Sequence, residues 1–125
     1  MRDNKPHSNM NEKEYEIVEL LRKLNMNRPV ALTLASLSNG DEITSREIEM
    51  NSSLRQPEVS IAMRYLKDNN WVEIREEKKT EGKGRPVKLY RLIIPLEEII
   101  QSIEKRVLRE SQYVLENIEK LKRLA

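Results

Sequence analysis

Between Val59 and Ile93 the apolar residues change from helical to strand spacing, and that change restricts the fold more than any other feature of the chain. Val59, Ala62, Met63 and Leu66 recur at i, i+3, i+4 and i+7, the buried stripe of an amphipathic helix. It starts near Gln56-Pro57, with Pro in its first turn. Asn69-Asn70 ends it, because Asn tolerates the left-handed conformation of a helix end. The pattern then alternates from Trp71 to Arg75, and again from Val87 to Ile93, with Val87, Leu89 and Ile93 on one face and Lys88, Tyr90 and Leu92 on the other. Residues 76–86 between them are polar and carry Gly82 and Gly84. This pattern predicts a helix running into a β-hairpin.

Upstream, Tyr15, Ile17, Val18, Leu20, Leu21 and Leu24 mark an amphipathic helix over Glu12 to Leu24. Pro29 opens a short, mostly buried second helix holding Val30, Leu32, Leu34, Ala35 and Leu37, which Asn39-Gly40 stops. Asp41 to Thr44 is a short extended stretch with Ile43 inward. Thr44 or Ser45 caps a two-turn helix over Ser45 to Asn51, and Asn51-Ser52-Ser53 forms a tight turn. Downstream, Pro95 breaks the second hairpin strand, and Leu96 to Leu124 contains neither Pro nor Gly. Its apolar residues Ile100, Ile103, Val107, Val114, Ile118 and Leu121 form one stripe, stepping mostly by alternating threes and fours as in a coiled-coil seam. A helix of that length spans roughly 45 Å.

The element order predicts an α+β fold: a winged helix-turn-helix domain over residues 12–94, then a long C-terminal dimerisation helix over 95–125. Residues 1–11 read as a disordered leader, polar and without the hydrophobic segment of a signal peptide. No apolar run approaches the roughly 20 residues needed to span a bilayer, so a cytoplasmic protein without a membrane partner is expected.

Charge distribution is more informative than the net charge of +2. From Lys78 to Arg91, six basic residues (Lys78, Lys79, Lys83, Arg85, Lys88, Arg91) face one acid, Glu81, whereas residues 95–125 hold six of each sign. A basic hairpin is the electrostatic footprint of a phosphate partner. In a helix-turn-helix the second helix presents its N-terminal half to base edges in the major groove. Its non-core residues here are Arg55 and Gln56, just ahead of it, then Ser60, Ile61, Arg64 and Lys67. Arg is suited to a guanine edge, Gln to an adenine edge, and Ser to a base or a phosphate. Glu58 accepts from a cytosine amine or favours the helix N-terminus. Lys78, Lys79, Lys83, Arg85 and Lys88 form the basic wing, which lies along the backbone or in the adjacent minor groove.

The stretch from Ile43 to Val72, including LRQPEVSIAMRYLKDNNWV, resembles the helix-turn-helix of MarR-, ArsR- and TrmB-type regulators. The wing and the segment after it, GKGRPVKLYRLIIPLEEII, look most like the TrmB-like archaeal group, where a Gly-Arg-Pro wing leads into a Pro-initiated long helix. The resemblance covers about residues 12 to 124 and implies DNA contacts from the recognition helix and the wing. It does not extend to the effector-binding domain of full-length TrmB regulators, so sugar sensing is not carried over.

Ordinary structural roles account for other conspicuous residues. Trp71 and Tyr65 are read as packing residues, the Met residues as gap fillers, and His7 as a leader residue. With one His and no Cys, no nucleophile–base pair involving either type arises in the folded part, and no phosphate-cradling or dinucleotide pattern is present. The chain is therefore expected to be no enzyme and to need no cofactor or metal. The expected function is sequence-specific binding of double-stranded DNA by a homodimeric transcription regulator. The alternative is a winged-helix protein-interaction or architectural module of a transcription or chromosome assembly.

Overall fold

Asn11 opens helix α1 (Glu12–Lys23) by a reciprocal cap: its side chain accepts the Glu14 N–H at 2.8 Å, and the Glu14 carboxylate accepts the Asn11 N–H at 3.1 Å. Met10 beside it is buried. The expected leader is thus two residues too long, because Asn11 caps a helix and Met10 joins the core. The structure, a computed structural model, describes residues 10–78 and 86–125; the rest of the leader lies outside them.

Asn27 caps α2 (Arg28–Ser36) by accepting the Val30 N–H at 3.2 Å, with Pro29 in the first turn. Every residue from Val30 to Leu37 is buried, since α2 packs against α1, α3 and α4 and has no solvent face left. Leu37 already ends this helix, ahead of the Asn39-Gly40 stop read from the sequence. Thr33 lies within it, fully buried, and its hydroxyl has no hydrogen-bond partner among the described residues. An unmet buried hydroxyl opposes folding. Thr33→Val keeps the shape and removes that group, and is expected to stabilise the protein by about 1 kcal/mol, read as a higher urea midpoint at unchanged slope. A lowered midpoint would show that the hydroxyl is satisfied.

Strand β1 (Ile43–Thr44) leads directly into α3 (Ser45–Ser52), and α4 (Gln56–Asp68) follows. Asn70, at φ 61°, turns the chain after α4 into β2 (Val72–Glu77), which pairs antiparallel with β3 (Val87–Leu92). The sheet order is β1-β3-β2, with Val72 opposite Leu92 and Ile43 opposite Tyr90. Trp71, Val72, Tyr90 and Leu92 are buried. The core side of β3 is therefore the Tyr90–Leu92 face; Val87 and Leu89 are half-buried and Ile93 is exposed. The expected packing roles of Trp71 and Tyr65 agree with their rings, which meet edge to face at a centroid separation of 6.1 Å.

The chain divides into two units, residues 1–94 and 95–125. The second is one helix, α5 (Leu96–Leu124), with Pro95 at its N-cap. Along it Ile100, Leu108, Val114, Leu115, Ile118 and Leu121 are exposed. Ile103, read from its spacing as part of the same stripe, also lies on this helix. No helix among the described residues is long and apolar enough to cross a membrane.

Candidate nucleic-acid interface

Two local devices fix the ends of α3, ahead of the turn into α4. Thr44 accepts the Glu47 N–H at 3.0 Å, and the Glu47 carboxylate accepts the Thr44 N–H at 2.8 Å, which sets the start of α3. At its end the buried Ser52 hydroxyl donates to the Ile48 carbonyl at 2.5 Å and accepts the Leu54 N–H at 3.2 Å. Ser52 is therefore helical, and the left-handed residue is Ser53 at φ 63°. The turn consists of Ser53, Leu54 and Arg55, not Asn51 to Ser53 as the residue types indicated. Leu54 is buried and anchors it. An Asn-Ser-Ser run announces a turn but not its register, which the burial of Ser52 and Leu54 sets.

Arg55 is the N-cap of α4, and its N–H donates to the Glu58 carboxylate at 3.0 Å. Of the two roles left open for Glu58, this contact supports the one at the helix N-terminus. Val59, Ala62, Met63 and Leu66 are buried as their spacing required. All six residues assigned to the recognition face, Arg55, Gln56, Ser60, Ile61, Arg64 and Lys67, are exposed. Gln56 Nε2 donates to Ser60 Oγ at 3.0 Å, tying two of them together across one turn. Ile61 is 66% exposed, which removes the core role a large aliphatic residue would ordinarily have.

The hairpin presents less positive charge than its composition implied. Arg91 is bonded to Glu73, its direct cross-strand partner. Arg75 holds Glu42 through two hydrogen bonds of 2.7 and 2.8 Å, reaching over β3 at Leu89, which pairs with both Arg75 and Thr44. The Arg75 hydrogen bonds keep the Glu42 carboxyl below the usual carboxylate range, and Glu42 in turn raises Arg75. Because the folded-state value of Glu42 is lowered, any stability from this pair is present above the ordinary carboxylate range and is lost as pH falls through the lowered value. Both ion pairs brace the stem of the hairpin at the surface, where such pairs contribute little energy. They involve residues 18 and 33 positions apart, beyond the reach of a local pattern.

Of the five wing residues, Lys78, just after β2, and Lys88, on β3, are exposed and lie at the end of the hairpin nearer its connecting segment. Lys79, Lys83 and Arg85 lie outside the described residues. No group of three or more His, Cys, Asp or Glu side chains among the described residues is placed to hold a metal ion.

No protein-family profile and no curated protein matches the sequence. Among solved structures, that of TrmBL2, described as an archaeal chromatin protein showing a novel mode of DNA binding, is similar over 89% of this chain, with 23% identity and a TM-score of 0.54. The match covers 42% of TrmBL2, so the chain spans less than half the length of that protein. Pex from Synechococcus sp. (strain PCC 7942) aligns over 74% of this chain and 94% of its own, with 17% identity and a TM-score of 0.46. The likeness to TrmBL2 is one of fold: helices with a small three-stranded antiparallel sheet and a long C-terminal helix.

Proposed function

We propose that this chain is a winged helix-turn-helix regulator that binds double-stranded DNA in the cytoplasm, with α4 in the major groove and the basic hairpin on the backbone or in the adjacent minor groove. The observation that carries the reading is the outward face of α4. It offers Gln56, Ser60, Ile61, Arg64 and Lys67 together on the second helix of a helix-turn-helix pair, and its core face is fully committed. The fold shared with a DNA-binding archaeal protein supports it. The exposed apolar residues of α5 support a homodimer: Ile100, Val114, Ile118 and Leu121, with Val107 half-buried among them. A two-fold dimer reads half-sites about one helical turn apart, or a multiple of that.

The second reading, an architectural protein that coats DNA without reading it, is favoured by the description of TrmBL2 as a chromatin protein. One experiment separates the two. Purified protein is mixed with a genomic fragment library at two salt concentrations and the retained fragments are sequenced. An inverted-repeat motif that survives the higher salt supports the sequence-specific dimer. Indiscriminate retention lost at higher salt supports the architectural reading. No retention at either salt refutes DNA binding.

A further inference from the structure

On a helix of about 100° per residue, Ile61 projects within about 30° of the direction opposite the buried stripe of Val59, Ala62, Met63 and Leu66. It therefore stands near the middle of the outward face of α4, about 60° around the helix from Arg64 and about 100° from Ser60. A 66%-exposed isoleucine there gains nothing for the folded chain: it is outside the core and leaves apolar surface in water. Its polar neighbours are differently committed. Gln56 and Ser60 are bonded to each other on one side, and Arg64 projects freely one turn further along.

Only one group on the base edges in the major groove is apolar, the 5-methyl of thymine. A β-branched side chain is also stiff at χ1, so Ile61 presents its methyl groups in a fixed direction at small entropic cost. We infer that Ile61 is a specificity-determining residue that recognises the 5-methyl of a thymine in each half-site. This inference rests on the reading of α4 as the DNA-facing helix, and it adds a chemical identity to one base of the site.

The test uses full-length protein and duplexes selected by it from a random-sequence library, resynthesised with deoxyuridine in place of each thymine in turn. That exchange deletes one methyl group and leaves every hydrogen-bonding edge intact. One uracil position per half-site is expected to weaken wild-type binding by about four-fold, the loss of one buried methyl. Ile61→Ala is expected to bind the thymine duplex more weakly and to bind its uracil form no worse than the thymine form. Because Ile61 lies outside the core, the variant should unfold at the wild-type temperature. If selection enriches no thymine, or if wild type and Ile61→Ala respond to uracil alike, the inference is overturned while duplex binding itself stands. Absence of any duplex binding by the wild type overturns both readings together.

Discussion

Leu66→Ala is expected to destabilise the domain by about 2–5 kcal/mol, a large share of the total stability of a small domain. Leu66 is fully buried on the core side of α4, and its carbonyl accepts the Trp71 N–H at 3.1 Å, where the chain leaves the helix for the hairpin. Truncation leaves a cavity between α4 and the elements it packs on, α2, α3 and β2. Chemical denaturation measures the effect directly. A loss under about 1 kcal/mol would mean that the surrounding side chains collapse into the space and that the core is not close-packed there.

Two residues earlier, Arg64→Ala should give the opposite pattern, with unchanged stability and a large loss in recognition. Arg64 is exposed and has no core role. If it reads a guanine edge in bidentate fashion, its removal costs about 1–3 kcal/mol of affinity for the preferred duplex and relaxes the preference at one position. Lys88→Ala, on the hairpin, supplies the contrast. It should weaken all sequences about equally and reduce the salt slope by roughly one. Fluorescence anisotropy on preferred and scrambled duplexes at several salt concentrations measures both. Equal losses for both variants on every sequence would remove the distinction between base reader and phosphate clamp.

Much of this architecture is legible in the residues because the signals are local. The stripe on α4 follows from the spacing of Val59, Ala62, Met63 and Leu66, and all four are buried. The cap at Thr44 sits where its residue type places it. Where the fold departs from the local pattern, long-range burial chose between local options of similar cost. Asn51, Ser52 and Ser53 are all turn formers, and the burial of Ser52 and Leu54 moved the turn toward Arg55. Tyr90 and Val87 both suit a strand, and packing put the Tyr90 face inward. Asn11 belongs to a polar leader by composition and to a helix by the reciprocal bond with Glu14.

The candidate interface divides along the same line. Periodicity is a property of each element alone, so the order of residues was enough to specify which elements exist and which side chains of α4 point away from the core. The state of those side chains came from the folded arrangement: Gln56 is tied to Ser60, Glu58 is occupied at the helix N-terminus, Ile61 stands in solvent, and Arg91 and Arg75 are held by Glu73 and Glu42. Electrostatic and packing partners lie wherever the fold brings them together. A basic residue counted along the chain therefore becomes an available charge only once its neighbours in space are known.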